Sequence, residues 1–493
     1  MAWALAAIVL VAHLATSAGY GYFRDELYYV ACSAHPALGY VDFPPLLAWF
    51  LAPWRALAGD SLVVLRFPPA ACAAATVLLT AALVRALGGG RRAVVPAVVP
   101  VMLAPIYVGI FSILTPNALD VVVWAAILLV VVRLLEAPTN RRWMLLGVLF
   151  GVGFLNRHAI VFLAAGLGVG LLATRARRLL FGRGALLAAG SAGALALPHL
   201  VWQATHGWPT LEFLANARAN KMLAKSPLEF VGEQILVLDP LAAPIWMTGL
   251  VVLWRRDDGR WRPLVWTFAT VLALLVVGGG KAYYLTPFYP VLFAAGAIAL
   301  VERSRTLATA ATIAVVVSGL ALAPFAKPLM SEDAFVAYSR RFGIDPRTGV
   351  GERNELDLLP QQYADEHGWP ELATTVAGVL KALPRDEQER TCIVTANYGE
   401  AGAIDFFGPA LGLPPARSGH NTYWLWGPGD CDFSTVIAIG FDADIVRGLA
   451  RSVDEAASVF CPYCMPYERK PILLVRGLTL GPDALWGRLR RFQ

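Results

Sequence analysis

Two acids stand side by side at Asp25 and Glu26, with Arg24 before them and Tyr28 and Tyr29 after, between the first long apolar run of the chain and the second. A charge carried into hydrocarbon costs roughly 2.5 to 3.5 kcal/mol even on the lenient insertion scale, so acids at the mouth of a membrane segment are kept for what the charge does. Asp42 lies in the same stretch. Asp120 falls about one turn inside a later apolar run, Arg157 and His158 occupy the junction between two more, and Lys281 follows three glycines, with Tyr283 and Tyr284 behind it. A positioned carboxylate can take a proton, and positioned cations can meet developing negative charge.

The elements that must hold these residues are membrane helices. The chain has 493 residues, of which 57% are hydrophobic and only 15% charged, with a mean hydropathy of +0.57. Soluble domains carry nearer a quarter charged residues. The net charge of +6 does not point to nucleic acid, because the basic residues are spread over short loops and form no single patch. A helical crossing takes about 20 apolar residues. About eleven runs qualify or nearly do, near 2–18, 62–84, 93–111, 116–135, 143–156, 159–173, 184–202, 239–254, 263–279, 284–301 and 306–325.

Lys and Arg stay on the cytoplasmic side of a bilayer, and here every second loop is basic. Arg85, Arg91 and Arg92 follow the second run; Arg133, Arg141 and Arg142 the fourth; Arg175, Arg177, Arg178 and Arg183 the sixth; Arg255, Arg256, Arg260 and Arg262 the eighth; Arg303 and Arg305 the tenth. With the N-terminus inside, the first loop (19–61), the 203–238 loop and everything after 326 lie outside the cytoplasm. Thr16-Ser17-Ala18 also reads as a cleavage site for a signal peptide, but no basic residue precedes the apolar part. The first loop is external on either reading.

The division expected is a transmembrane domain over 1–326 and an extracytoplasmic α/β domain over 327–493. In the tail, 391–397, 434–440, 457–460 and 471–475 read as short buried strands, and Glu371–Leu383 and Asp444–Ala450 as helices. Four of the six cysteines, Cys392, Cys431, Cys461 and Cys464, fall there. Cys461 and Cys464 have the spacing of a structural disulfide, a pair of thiols, a redox pair or half a zinc site. Cys32 and Cys72 read as small packing residues. No cluster of His, Asp and Glu has ligand spacing, so no metal is expected.

The order of motifs resembles the C-type glycosyltransferase superfamily, and within it the bacterial branch of glycosyltransferase family 39, related to protein O-mannosyltransferases and lipid A aminoarabinose transferases. The resemblance is carried by GYFRDELYYVAC and GYVDFPPLLAW in the first loop, TPNALDVVVW (115–124), FLNRHA (154–159), HGWPTLEFLAN (206–216), SPLEFVGEQILVLDPL (226–241) and GGGKAYYLTPFYP (278–290). In the tail it is carried by ANYGEAGAIDFFGPALGLP (396–414) and SGHNTYWLWGP (418–428). It implies an all-α polytopic bundle that transfers a sugar, with inversion, from a polyprenyl-phosphate carrier to a hydroxyl of a protein, glycan or lipid acceptor on the outer face. No cofactor is implied beyond that donor.

Carried over residue by residue, the resemblance makes Asp25 the base that takes the acceptor proton, with Glu26 beside it. Lys281 and Arg157 become cations for the leaving phosphate, flanked by Tyr283 and Tyr284. Relatives often carry Lys where Arg157 stands; the guanidinium keeps the charge and adds a fork suited to phosphate oxygens. Asp120 matches an acid of the second external loop. Asp42 replaces the Lys of a Lys-Pro-Pro motif and so removes a cation from the donor contact. Arg24, Tyr28 and His158 complete the candidate set. Each has a plainer reading: an interfacial ion pair for Arg24 and Asp25, a helix cap for Glu26, a packed acid for Asp120, snorkelling for Lys281 and Arg157, a satisfied interfacial histidine for His158, an aromatic belt for the tyrosines. Asp442-Ala443-Asp444 imitates a nucleotide-sugar motif by chance, and Trp424 and Trp426 read as core aromatics or as a sugar-stacking pair. A transporter or flippase of lipid-linked sugars is the alternative function, although no symmetric halves stand out.

Overall fold

A computed structural model describes residues 1–220, 225–345 and 356–493. Parts of the 203–238 loop (221–224) and of the tail (346–355) lie outside the described residues. Each of the eleven apolar runs holds a helix: Ala2–Ala15, Leu62–Ala86, Val94–Leu103 with Pro105–Ile110, Pro116–Glu136, Asn140–Asn156, Ile160–Leu172, Arg183–Thr205, Ala243–Arg255, Arg262–Gly278, Tyr289–Arg303 and Arg305–Leu322. Among the described residues five helical segments are long and apolar enough to cross a membrane: Leu62–Ala86, Pro116–Glu136, Arg183–Thr205, Ala282–Arg303 and Arg305–Phe325. A sixth results if Ile160–Leu172 and Arg175–Phe181, bent by 119°, form one span. Ala2–Ala15, Leu46–Ala58 and Arg262–Gly278 are shorter apolar helices.

The chain divides into two compact units. The first comprises Met1–Ala18, Val63–Trp202 and Leu223–Leu329. Its helices begin and end where the sequence requires. Thr115 is extended and Pro116 occupies the first helical position, which fixes the start of Pro116–Glu136 and sets Asp120 about one turn in. Ala104 is extended before Pro105, so the third apolar run breaks there. Arg262–Gly278 closes on Gly279 in the left-handed region (φ 67°), with the Gly280 N–H returning to Leu275 O at 2.8 Å. That turn releases Lys281 into an extended conformation ahead of the 3₁₀ segment Ala282–Phe288. Ala243–Arg255 and Tyr289–Arg303 pack through Gly249 and Gly296. A Cβ on Gly249 would strike Leu292 O and one on Gly296 would strike Ile245 O, the close approach that small residues allow between membrane helices.

The second unit comprises Gly19–Leu62, Gln203–Met222 and Met330–Gln493. Its core is a five-stranded sheet of β1 (Thr391–Thr395), β2 (Ala416–Ser418), β3 (Thr435–Ile439), β4 (Ala450–Ala457) and β5 (Ile472–Leu478), in the order β2-β1-β3-β5-β4. β1 pairs in parallel with β2 and β3; β5 runs antiparallel to β3 and β4. The strands expected at 391–397, 434–440 and 471–475 are β1, β3 and β5. The fourth expectation fails: of 457–460 only Ala457 is in a strand, as the last residue of β4. Most of Ala450–Ala457 is exposed or half-buried, as befits an edge strand, and no apolar run marks it. The helix expected at Asp444–Ala450 is a single turn, Ala443–Arg447, whose cap is the Asp442 carboxylate accepting from the Asp444 and Ile445 N–H groups. The Asp-x-Asp sequence is therefore a helix cap. Cys392 is bonded to Cys431, and Cys461 to Cys464; Cys32 and Cys72 are thiols.

The sheet places a site in the way parallel α/β sheets do. The chain leaves β1 for the helix Tyr398–Phe407 and β2 on one side, then crosses to β3 on the other, so the carboxyl end of β1 is a topological switch point. Asn397 caps the helix there, its side chain accepting from the Gly399 and Glu400 N–H groups. Within this unit Arg24–Ala34 packs on Tyr398–Phe407 and on Leu46–Ala58.

Candidate active site

In the first unit the separated sequence motifs converge. Arg157 terminates the helix Asn140–Asn156 in an extended conformation. Its guanidinium ion-pairs with the Asp120 carboxylate at 3.6 Å and lies over the Tyr284 ring, 4.3 Å from the centroid, with the Tyr283 ring 5.7 Å away. Lys281 Nζ is 5.9 Å from the Tyr283 centroid, and the two tyrosine rings meet edge to face at 4.8 Å. Asp120 is buried, and neither of its oxygens has a hydrogen-bond donor among the described residues. A buried carboxylate with unfilled acceptor positions is costly unless a ligand completes it. Two cations, an acid and two aromatic faces can together hold an anionic headgroup and a hydroxylated ring. The His158 ring turns to another partner: its Nε2 lies 2.9 Å from Nε2 of His199 on the helix Arg183–Thr205.

In the second unit the acid pair divides. Asp25 opens the helix Arg24–Ala34, its side chain 27% exposed, and Oδ1 accepts from the Tyr398 hydroxyl at 2.8 Å and lies 3.6 Å from Arg24 Nε. Glu26 is fully buried, and Oε2 accepts from the Phe23 N–H at 2.9 Å, the work of a residue that satisfies an orphan helix donor. Arg24 donates to the Tyr467 hydroxyl at 2.6 Å and pairs with Asp365 at 3.6 Å, and its backbone N–H reaches Asp365 O at 3.0 Å. Tyr28 donates to Asp42 Oδ1 at 2.7 Å, its oxygen also sits 2.7 Å from Thr422 Oγ1, and its ring stacks on Tyr398 at 4.5 Å. Asp42 thus joins the acid helix through Tyr28.

Burial raises Tyr398, Glu400 and Glu468. It holds the Tyr398 phenol well above its ordinary value, against the pull of Arg24 and with Asp25 adding to it, so the hydroxyl remains the donor to Asp25. It pushes Glu400, beside the Asn397 cap, up to about 7. Glu468 is also raised, by burial first and then by Asp365, and neither of its oxygens has a hydrogen-bond partner among the described residues. No group of three or more His, Cys, Asp or Glu that could hold a metal occurs among the described residues. Trp424 is packed: its indole N–H donates to Trp486 O at 3.1 Å and Arg490 lies over its ring. Trp426 stacks on His35 at 4.3 Å.

Residues 42–202 match the family model described as dolichyl-phosphate-mannose-protein mannosyltransferase. The fold is similar to that of ArnT from Cupriavidus metallidurans, in the crystal structure bound to undecaprenyl phosphate (TM-score 0.59, 13% identity, 96% of this chain and 97% of that one). The apo crystal structure of that protein matches equally well (TM-score 0.58, 12% identity, 96% and 97%). The lipid A galacturonosyltransferase RgtD of Rhizobium johnstonii is 27% identical over 281 residues. These likenesses agree in a membrane glycosyltransferase fold. The match to RgtD spans 53% of this chain and 56% of that protein, so about half of the curated relative is covered.

The fold also brings together functional candidates that the sequence motifs did not single out. Tyr398, Asp365, Tyr467 and Thr422 surround the acid helix, and His199 pairs with His158. Tyr398 and Thr422 lie inside quoted motifs, ANYGEAG and SGHNTYW, yet nothing in those strings says which side chain reaches residue 25 or 28. The remaining three carry no local signal.

Proposed function

We propose that this protein is an integral membrane inverting glycosyltransferase that moves a sugar from a polyprenyl-phosphate carrier to an acceptor hydroxyl on the outer face of the membrane. The observation that carries this reading is the convergence of Arg157, Lys281, Tyr283 and Tyr284 about the buried acid Asp120 in one unit. The acceptor oxygen attacks the anomeric carbon, the bond from that carbon to phosphate oxygen breaks, and the configuration inverts. Asp25 takes the acceptor proton. Polyprenyl phosphate departs with its charge met by Arg157 and Lys281, and Asp120 accepts hydrogen bonds from the donor sugar. Phosphate leaves without protonation, so one carboxylate suffices where a glycosidase needs two. Neither a metal nor a cofactor enters.

Eleven crossings with the N-terminus in the cytoplasm, and a tail outside it, complete the proposal. The alternation of basic loops supports it, as do the two disulfides of the tail, which an oxidising compartment maintains. ArnT bound to undecaprenyl phosphate supports the carrier class. The likeness to a lipid A galacturonosyltransferase supports a lipid-borne glycan as the acceptor.

The test is transfer by purified protein from a synthetic polyprenyl-phosphate sugar, read by loss of donor and gain of glycosylated acceptor. Asp25→Asn should abolish turnover while leaving expression and donor binding intact; turnover surviving in that variant removes Asp25 as the base. A carrier of lipid-linked sugars would move the donor across a vesicle with the sugar still attached.

A further inference from the structure

The turn that presents Arg157 is fixed on both sides. Before it, the Asn156 side-chain N–H donates to Pro116 O at 2.9 Å, tying the end of one helix to the start of the helix that carries Asp120. After it, His158 Nε2 lies 2.9 Å from His199 Nε2. His199 is fully buried in the last third of the largely apolar helix Arg183–Thr205, its ring stacked with His158 at 5.1 Å and with Trp202 at 6.2 Å, and Phe154 meets both imidazoles edge-on. An imidazole pair joined nitrogen to nitrogen needs one donor and one acceptor, so each ring fixes the other's tautomer and direction. A buried polar side chain on an apolar helix costs free energy unless such a bond compensates it.

We propose that His199, acting through His158, is a positioning residue for Arg157. It holds the 157–159 turn so that the guanidinium stays against Asp120 and over Tyr284. Neither histidine touches the donor in this scheme; His158 moves from the substrate-contacting set to the supporting one. The inference rests on the reading of Arg157 as a donor-phosphate cation.

The experiment measures binding of sugar-free polyprenyl phosphate, together with donor and acceptor KM and kcat, for the wild type, Arg157→Ala, His199→Ala, His199→Gln, His158→Ala and the double variant Arg157→Ala with His199→Ala. His199→Ala and His158→Ala should each weaken carrier binding and raise donor KM about three- to tenfold, the range of one ordinary net hydrogen bond, leaving acceptor KM unchanged. His199→Gln, which keeps a donor and an acceptor, should recover most of the loss. The double variant should be no worse than Arg157→Ala alone, since a residue acting through Arg157 has nothing left to position. Additive losses, or equal losses on donor and acceptor, overturn the proposal. If Arg157→Ala itself leaves carrier binding unchanged, the phosphate-cation reading falls and the positioning role with it. If Arg157→Ala weakens binding and His199→Ala does not, only the positioning role falls.

Discussion

Tyr398→Phe isolates one contact of the proposed base. The substitution removes the phenolic oxygen that donates to Asp25 Oδ1 at 2.8 Å and keeps the ring stacked on Tyr28 at 4.5 Å. A hydrogen bond to an ionised partner contributes about 1.5 to 3 kcal/mol. Asp25 is 27% exposed, so water replaces part of what is lost and the lower end applies, about 1.5 kcal/mol. If the bond's role is to aim the carboxylate, that amounts to roughly a tenfold fall in kcat. Donor KM should not move. The assay is transfer from a synthetic polyprenyl-phosphate sugar at saturating donor, paired with thermal unfolding in detergent. Turnover within twofold of the wild type would refute the argument. So would a tenfold loss accompanied by a matching fall in thermal stability, because the residue would then support the fold and not the carboxylate.

Arg157→Ala and Lys281→Ala should each weaken binding of the polyprenyl-phosphate donor by at least tenfold with little change in acceptor affinity; Arg157→Ala should have the larger effect, since it also leaves buried Asp120 without its cation, a loss of about 3 to 5 kcal/mol where such pairs are broken. Glu400 is raised from 4.5 to about 7 in the folded protein. Between those values the unfolded chain has released its proton and the folded one retains it, so stability falls as pH rises from about 4.5 to about 7 and is level beyond. Glu400→Gln, which keeps an acceptor for the Ala396 and Asn397 N–H groups, should flatten that slope in pH-dependent unfolding; an unchanged slope would contradict the assignment. Replacing both Cys392 and Cys431 by Ser opens a loop closed across 39 residues and should lower the stability of the sheet-containing unit by about 2 to 4 kcal/mol, read by denaturant unfolding.

The sequence disclosed what is local or periodic. Apolar runs located the helices, Thr115-Pro116 and the glycines before Lys281 located two of their ends, and continuous Val and Ile marked β1, β3 and β5. It did not disclose β4, whose Ala450–Ala457 is an exposed edge with no apolar signature, nor the shortness of Ala443–Arg447. In the site, the charged candidates Asp120, Arg157 and Lys281 could be named because charges in apolar surroundings stand out. That Asp120 and Arg157 pair is a fact of helix packing across a separation of 37 positions. The supports of Asp25 were hidden for the same reason, since Tyr398 looks like any aromatic until the chain folds back. Glu26 was ambiguous because a catalytic acid and a capping acid have the same composition; in the fold its carboxylate accepts from the Phe23 N–H.

One consequence of the Asp25 arrangement concerns biosynthesis. The hydroxyl that grips this carboxylate is encoded 373 positions later, and Asp365 and Tyr467, which hold the adjoining Arg24, are also encoded far downstream of it. At about 5 to 20 residues per second a ribosome needs roughly 20 to 75 seconds to travel from one to the other. Throughout that interval the growing polypeptide already has its early helices but lacks the hydroxyl that anchors the proposed base. On the proposed mechanism, products of ribosomes stalled before Tyr398 would be inert toward lipid-linked sugar.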